Sequence, residues 1–177
     1  MITFVCGGVR SGKTSYAERC MLDKKHLNLH YVATGVVTDF EMQERVSRHK
    51  DDRRQSSRSW QTWELPTAID QVLFTGNDAT LLDCLTTWVT NEMMAQEGML
   101  PDDMIRYLIN QLENLIANVG EVYIVSNDLG RDIVSSNRLI QNYLYILGSI
   151  HRYVVRRSDV AIEMVFGVPV FHKGGKA

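Results

Sequence analysis

Short apolar runs alternate along this chain with segments in which apolar residues recur at helical spacing. The runs are bounded by glycine or polar residues, which is typical of buried strands. Strands are predicted at Ile2–Cys6, Leu29–Ala33, Thr80–Cys84, Glu121–Ser126, Val160–Phe166 and Val168–Phe171. The aromatic-rich segment Trp60–Pro66 indicates a loop or an edge strand, with both of its tryptophans in a small satellite core.

Helical periodicity fills the intervals between these strands. Helices are predicted at Lys13–Leu22, Asp39–Lys50 and Leu85–Gln96, from Pro101 up to Gly120, and at Asn137–Arg157. The fourth has the clearest core-facing stripe, formed by Ile105, Leu108, Ile109, Leu112, Leu115 and Ile116. A proline followed by two acidic residues opens it, which is favourable at a helix N-terminus. The tail from Lys173 onwards is expected to be loosely held.

This order of elements predicts the fold class. Strands that alternate with helices pair in parallel through right-handed crossovers, so we expect a three-layer α/β domain with a mostly parallel central sheet. The length of 177 residues fits one such domain, covering residues 1–177. Ligands of such sheets bind at the carboxyl ends of the strands. Candidate functional residues should therefore follow Cys6, Ala33, Cys84 and Ser126.

Composition and charge exclude several classes of protein. With 19 Lys and Arg against 21 Asp and Glu, the formal net charge is −2, which argues against a nucleic-acid partner. Hydrophobic residues make up 45% and charged residues 23%, which excludes a disordered chain. Cys6, Cys20 and Cys84 form no Cys-x-x-Cys pair and indicate reduced thiols, not disulfides or a zinc site. No signal peptide or membrane span is recognisable, so we expect a cytoplasmic protein.

A phosphate-binding loop is predicted between the first strand and the first helix. The sequence Gly7-Gly8-Val9-Arg10-Ser11-Gly12-Lys13-Thr14 matches the pattern G-x-x-x-x-G-K-[ST]. Glycines allow backbone N–H groups to surround phosphate oxygens, and the helix N-terminus favours their negative charge. Lys13 would contact the β- and γ-phosphates, and the Thr14 hydroxyl would hold Mg²⁺. With this loop, the expected fold is a P-loop NTPase domain of the RecA-like kind.

An acidic residue at the end of a neighbouring strand is the second requirement of such a site. Asp83 follows the apolar residues Leu81 and Leu82 and could bind the metal ion. The same residue could instead cap the helix that begins at Leu85. Spacing alone leaves both interpretations open.

Basic residues are concentrated in the segment Arg45–Arg58, called the basic segment below. Six Lys or Arg and two Asp give its 14 positions a net charge of +4. It could be a solvated helix face or could bind an anionic ligand near the sheet. Glu41, Arg45 and His49 are spaced by four and share one face of the predicted helix. A neutral His49 among these cations could attack a phosphorus atom, although a lone histidine is more often structural.

Together these motifs resemble a known family. The sequence Asp39-x-Glu41-Met42-x-x-Arg45-Val46-x-x-His49-Lys50 accompanies the phosphate-binding loop, and further motifs come in the family's order. These are Tyr31-Val-Ala-Thr34, Arg53, Trp60-x-Thr62-x-Glu64-x-Pro66, Leu81-Leu-Asp-Cys-Leu-Thr86-x-Trp88-x-x-Asn91, Val125-Ser-Asn127 and Gly130-x-x-Ile133-Val134. From Ile2 to about Pro169 the chain resembles the bifunctional adenosylcobinamide kinase / adenosylcobinamide-phosphate guanylyltransferase family of cobalamin biosynthesis.

The resemblance implies two reactions. In the first, the γ-phosphoryl group of ATP or GTP passes to the aminopropanol hydroxyl of adenosylcobinamide. In the second, a histidine attacks the α-phosphorus of GTP and releases pyrophosphate. The bound GMP then passes to adenosylcobinamide phosphate, giving adenosylcobinamide-GDP. Mg²⁺ is the implied cofactor and a homotrimer the implied assembly, and the basic segment becomes a clamp for the triphosphate.

The resemblance also assigns roles to particular positions. It implies His49 as the nucleophile, Lys13 as the phosphate-binding lysine, and Thr14 and Asp83 as metal ligands. Nucleotide contacts are implied at Gly7, Gly8, Val9, Arg10, Ser11, Gly12, Lys13, Thr14, Ala33, Thr34, Gly35, Lys50, Asp51, Asp52, Arg53, Glu64 and Asp83. The chain departs from the family at Asp83, where Glu is usual, and in the late helix, where His151 takes the place of a usual Asn.

Two other functions remain open on the sequence. The chain could be a P-loop kinase of small molecules in which His49 is structural. It could also be a nucleotide-binding regulatory subunit with slow turnover or none. The departures in the late helix, which include Tyr143-Leu144-Tyr145, are the feature that keeps the regulatory alternative open.

Overall fold

A computed structural model describes residues 1–24, 27–35, 56–129 and 136–175. Within these ranges the elements are β1 Ile2–Gly7, α1 Lys13–Leu22, β2 Asn28–Ala33, β3 Trp60–Glu64, β4 Asp78–Asp83, α2 Leu85–Ala95, α3 Pro101–Asn118, β5 Glu121–Asn127, α4 Arg138–Arg157, β6 Val160–Val165 and β7 Val168–Lys173. Each predicted strand is present with small shifts at its ends. The predicted helix Asp39–Lys50 lies outside the described residues.

The strands form one seven-stranded sheet in the order β3-β2-β4-β5-β1-β6-β7. Each neighbouring pair is parallel except β6 and β7, which form an antiparallel hairpin. The hairpin is antiparallel because the two residues between Val165 and Val168 are too few for a crossover. The prediction of a mostly parallel sheet is confirmed. The carboxyl ends of the parallel strands lie at one edge, called the carboxyl edge, and the opposite edge is called the amino edge.

Helices cover both faces of the sheet and give it three layers. On one face, α1 packs through the fully buried Ala17 and Met21. On the other, α2, α3 and α4 surround a core that includes Trp88, Leu112 and Ile150. Because both faces are covered, the central strands are apolar on both sides, as in other parallel sheets. No helix of the described residues is both long enough and apolar enough to cross a bilayer.

The ends of α3 and α4 follow the chemistry expected of helix termini. Pro101 occupies the first turn of α3 together with Asp102 and Asp103. Asn137 caps α4, since its side chain accepts a hydrogen bond of 2.8 Å from the N–H of Leu139. These features stabilise the N-termini of the two longest helices.

The prediction of a loose tail from Lys173 is wrong at its first residue. Lys173 ends β7, and its ammonium group donates to the carbonyl oxygens of Val155 and Arg156, each at 3.1 Å. These carbonyls belong to the last turn of α4, where cations are favourable. The charge therefore ties β7 to the helix.

The two tryptophans of β3 do not form a satellite core, which corrects the sequence prediction. Trp60 and Trp63 lie on opposite faces of this edge strand and pack against the two main cores. Trp63 also stacks on His30 and donates its Nε1–H to His30 Nδ1 at 3.1 Å. The outermost strand β3 is therefore packed against the protein on each of its two faces.

Candidate nucleotide-binding site

The phosphate-binding loop joins β1 to α1 at the carboxyl edge. Its turn is closed by a 3.2 Å hydrogen bond from the N–H of Ser11 to the carbonyl oxygen of Gly8. Gly12 precedes α1 with a φ of 85°, a left-handed conformation that favours glycine. A Cβ on Gly7 would lie 2.7 Å from the carbonyl oxygen of Met164. Packing therefore requires glycine at residue 7 and backbone conformation favours it at residue 12, apart from any role in phosphate binding.

Lys13 is the buried cation of this loop. Its residue is only 9% exposed, and its ammonium group donates to the carbonyl oxygen of Gly8 at 3.0 Å. Val9 and Arg10 form the outer part of the loop, and Val9 is 70% exposed. The loop therefore holds one positive charge on its inner side, at the N-terminus of α1, where an anion is favoured.

Asp83, at the end of β4, faces the loop and does not cap α2. Its Oδ2 accepts hydrogen bonds from Thr14 Oγ1 at 3.2 Å and from the Tyr31 hydroxyl at 2.6 Å. The N-cap of α2 is Cys84, without a side-chain capping bond. The helix-cap interpretation of Asp83 is therefore wrong, because the carboxylate lies on the α1 side of the strand end.

The oxygen atoms of Thr14 and Asp83 fit a hard cation such as Mg²⁺. Such an ion is usually held by one or two carboxylates together with phosphate oxygens and water. Among the described residues, no group of three His, Cys, Asp or Glu side chains could hold a metal ion by itself. A metal at this position would therefore depend on a bound phosphate for most of its ligands.

Tyr31 is a residue of the site that sequence reasoning did not assign. In the β2–β4 register it pairs with Leu81, whereas Asp83 pairs with Ala33 two positions further on. A long side chain reaches such a diagonal neighbour on the same face of a sheet. The sequence signal for this contact is a tyrosine on β2, two positions before Ala33, the residue that pairs with Asp83 on β4. This signal can be used only when β2 and β4 are known to be neighbours.

Thr34 joins the ends of β2 and β4 just beside the site. Its hydroxyl accepts from the N–H of Cys84 at 2.8 Å and donates to the Cys84 carbonyl oxygen at 2.9 Å. Its own carbonyl oxygen accepts from Asn91 Nδ2 at 2.8 Å. The polar groups of this fully buried residue are thus used within the protein. Ala33 and Gly35 flank it at the carboxyl edge, and nucleotide contact at these three positions stays a prediction.

The end of β5, which pairs with β1 in the sheet, contacts the start of the loop. Ser126 is fully buried, and its Oγ lies 2.7 Å from Nε2 of His151 on α4. Burial lowers the pKa of His151 to about 4, against a smaller opposing effect of the Asp128 carboxylate, so the imidazole is neutral at pH 7. The N–H of Asp128 donates to the carbonyl oxygen of Gly7 at 3.1 Å. The departure from the family pattern at residue 151 was the only sequence signal for this contact.

Of the remaining predicted residues, the structure describes only Glu64. Glu64 ends β3, pairs with Ala33 in the sheet and is exposed. The predicted nucleophile and its neighbours, His49, Lys50, Asp51, Asp52 and Arg53, lie outside the described residues. Their contacts with nucleotide stay predictions.

Arg58, the last residue of the basic segment, is not part of a triphosphate clamp. Its guanidinium group donates to the carbonyl oxygen of Lys24 at 2.7 Å and to that of Leu27. Arg58 lies just before the start of β3, which is parallel to β2, so it is at the amino edge. The expectation that the whole +4 segment surrounds the triphosphate is wrong at this residue.

The fold and the loop define a P-loop NTPase-type α/β domain. The flagellar accessory protein FlaH from Methanocaldococcus jannaschii has a similar fold, with a TM-score of 0.55 and 11% sequence identity over 99% of this chain and 80% of that chain. At this identity the likeness concerns the fold alone.

The sequence identifies the family. Residues 3–171 match the family described as cobinamide kinase / cobinamide phosphate guanyltransferase, and the chain belongs to this family. It is 31% identical over 180 residues to the bifunctional adenosylcobalamin biosynthesis protein CobU of Salmonella typhimurium, covering 96% of this chain and 98% of that protein. It is also 31% identical over 177 residues to the corresponding protein CobP of Pseudomonas aeruginosa, covering 98% of each. The family resemblance of the motifs is confirmed.

Proposed function

We propose that this protein phosphorylates adenosylcobinamide with ATP or GTP and then transfers GMP from GTP to adenosylcobinamide phosphate. The observation that carries the proposal is the contact of Thr14 with Asp83 beside the buried Lys13, in a member of this family. It places a cation, a hydroxyl and a carboxylate around the loop that would hold the phosphates. The products are adenosylcobinamide-GDP and pyrophosphate.

In the kinase reaction the loop binds and orients the triphosphate. Backbone N–H groups of residues 7–14 surround its oxygens, and Lys13 contacts the β- and γ-phosphates. Thr14 and Asp83 would hold Mg²⁺, which neutralises charge on the β- and γ-oxygens when bound. These fixed charges stabilise the transition state because they require no reorganisation during the reaction.

In the guanylyltransferase reaction we assign the nucleophile to His49. A bond forms between an imidazole nitrogen and the α-phosphorus while the bond to the bridging oxygen of the β-phosphate breaks, and pyrophosphate leaves. An oxygen of adenosylcobinamide phosphate then attacks the same phosphorus and releases the histidine. Lys50 and Arg53 would stabilise the charge on the leaving pyrophosphate, with Asp51 and Asp52 beside them.

The nucleoside contacts and the assembly follow the family expectation. Ala33, Thr34, Gly35 and Glu64 belong to the carboxyl edge, where ligands of parallel sheets bind. We further propose a homotrimer that acts in the cytoplasm, in keeping with three cysteines that are all free thiols. Sedimentation equilibrium of the purified protein tests the trimer directly.

The covalent intermediate tests the function. The protein is incubated with Mg²⁺ and GTP labelled at the α-phosphate, and bound label is followed after acid or base. A phosphoramidate predicts acid-labile, base-stable label in wild type and in the control His172→Ala, and none in His49→Ala. Unlabelled wild type, or equal labelling of His49→Ala, would contradict the transferase assignment. Transfer of a γ-label to adenosylcobinamide tests the kinase reaction separately.

A further inference from the structure

The side chain of Asn91 on α2 joins the chain just beyond β2 to the chain just beyond β3. Its Nδ2 donates to the carbonyl oxygen of Thr34 at 2.8 Å and to that of Pro66 at 2.9 Å. The N–H of Leu65 also donates to the carbonyl oxygen of Ala33 at 2.9 Å, which continues the β2–β3 pairing past the end of β3. The two strand ends are therefore held together by the backbone and by one side chain.

The neighbouring residue Glu92 fixes the segment that follows Pro66. It is only 1% exposed, and its Oε1 accepts from the N–H of Ala68 at 2.7 Å and from Gln111 Nε2 at 2.9 Å. The Oε1 of Gln111, on α3, accepts in turn from the N–H of Ile69 at 3.1 Å. A buried network in which each group has partners makes the backbone bonded to it rigid.

These bonds maintain an unfavourable backbone conformation at Ala68. Its φ is 49°, in the left-handed region, where a residue with a Cβ is uncommon. Such conformations persist only where the surrounding contacts over-determine them, and they are concentrated at functional sites. A role in placing the end of β3 would explain why the turn after this strand is held so firmly.

The strand ends joined by Asn91 are those that the proposed function assigns to the nucleoside. Thr34 lies between Ala33 and Gly35, and Glu64 ends β3, where it is exposed and pairs with Ala33 in the sheet. The carboxylate of Glu64 can accept hydrogen bonds from ribose hydroxyls or from N–H groups of a base. Its position relative to the end of β2 depends on the two hydrogen bonds of Asn91.

From these observations we propose that Asn91 is a positioning residue for the nucleoside half of the nucleotide and acts through Glu64. The proposal rests on the proposed function, which assigns Glu64 to the nucleoside, and adds the residue that holds this carboxylate in place. The phosphate-binding loop follows β1, which is separated from β2 by β4 and β5 in the sheet. Loss of the Asn91 amide should therefore leave the binding of phosphates unchanged.

Calorimetric titration separates binding of the nucleoside from binding of the phosphates. The ligands are GTP and inorganic tripolyphosphate, each with Mg²⁺. Asn91→Ala is expected to weaken GTP binding at least about tenfold, the effect of losing a hydrogen bond to a charged group, with tripolyphosphate binding unchanged. Asn114→Ala is the matched control, since it removes an amide contact of 2.9 Å with Asp70, further along the same segment. It should bind both ligands like wild type.

A double-mutant cycle distinguishes positioning from a general effect on stability. If Asn91 acts through Glu64, Glu64→Ala should weaken GTP binding at least as much as Asn91→Ala does. The double variant should then bind GTP no more weakly than Glu64→Ala, because the two changes remove the same contact. Losses that add would show that Asn91 acts independently of Glu64 and would overturn the proposal.

The other outcomes also overturn the proposal, and they differ from one another. Equal GTP affinity of wild type and either single variant removes the positioning role but leaves the two proposed reactions intact. An equal loss for GTP and tripolyphosphate assigns the amide to the stability of the whole domain. If Asn91→Ala does not fold, Asn91→Ser, which keeps one hydroxyl donor, is judged by the same comparisons. Failure of wild type to bind GTP overturns both this proposal and the proposed function.

Discussion

The two sides of the phosphate-binding loop are built in different ways. On the β4 and β5 side, partly buried polar groups are hydrogen-bonded to one another, as in the contacts of Tyr31 and Thr14 with Asp83. On the hairpin side, the neighbouring side chain is the exposed and apolar Phe166. The first side has fixed geometry before any ligand binds, whereas the second presents an exposed apolar side chain.

The polar side of the loop suits the phosphates and the metal ion of the proposed function. Phosphates and metal ions need charges and dipoles at fixed positions, and these are effective only where water is excluded and each group is held by partners. Substitutions on the polar side should therefore change catalysis, metal binding and pH dependence, and a substitution of Phe166, whose φ is 49°, should change backbone strain.

The largest effect is expected for Lys13→Ala. Removal of the buried cation from the loop should lower the rate of cobinamide phosphorylation about 10²- to 10³-fold, as for other fixed groups that stabilise transition-state charge. The rate is measured by transfer of the γ-phosphoryl group at saturating substrate. Lys24→Ala is the control, since that lysine pairs with Glu121 at 3.1 Å, at the amino edge. Undiminished turnover in Lys13→Ala would remove its phosphate-binding role.

The pH dependence of stability should depend on His151. Its pKa in the folded protein, about 4, is below the ordinary value of 6.5, so the unfolded chain takes up the proton first. Stability is therefore complete above about pH 6.5 and falls by about 3 kcal/mol as the pH drops to about 4. Urea denaturation at several pH values in this range should show that His151→Asn lacks this fall in the free energy of unfolding. Ser126→Ala should retain it, because burial and not the serine is the main cause. Identical slopes in wild type and His151→Asn would contradict the assignment.

Tyr31→Phe should weaken Mg²⁺ binding to the nucleotide complex about 10-fold. The hydroxyl orients Asp83, and loss of such outer contacts usually reduces metal affinity by this order. Titration of Mn²⁺, followed by electron paramagnetic resonance, measures the affinity in the presence of GTP. Tyr153→Phe is a matched control, since it also removes a tyrosine–carboxylate contact, to Glu113 between α3 and α4. Equal affinities of Tyr31→Phe and wild type would show that Asp83 is oriented without the hydroxyl.

The smallest effect is expected for Phe166→Asn and has the opposite sign. Asparagine tolerates the left-handed backbone, so the free energy of unfolding without nucleotide should rise by about 1 kcal/mol. Thermal and urea denaturation measure the change. Phe171→Asn, within the extended strand β7, should not be stabilising. A destabilised Phe166→Asn would mean that packing of the phenyl ring on the protein outweighs the strain of its backbone.

Local sequence predicted the parts of the site that are close together in the chain. The loop from Gly7 to Thr14 is eight residues long, and its glycines, its lysine and the helix that follows could be recognised without knowledge of the sheet. Asp83 is a candidate from the sequence, but its alternative role as a cap is excluded by the structure, in which it contacts Thr14, 69 residues away, and Cys84 is the N-cap of the following helix. The family motifs then identified the two reactions.

Contacts between distant residues could not be predicted in this way. Tyr31 and Asp83 are 52 residues apart, and they meet because β2 and β4 are neighbours in the sheet. Arg58 belongs by charge to the basic segment, but the parallel pairing of β3 with β2 puts it at the amino edge. A charge pattern shows that a segment is basic, but it does not predict at which edge of the sheet each of its residues lies.

The sequence by itself determined the alternation of strands and helices, the phosphate-binding loop and the family, because each depends on residue types at short spacing. The tertiary structure alone decided which strands are neighbours, and with them the partners of Asp83, the burial of His151 and the position of Gly167 beside Gly12. The physical reason is that strand order depends on the packing of helices on both faces of the sheet, which no local pattern specifies.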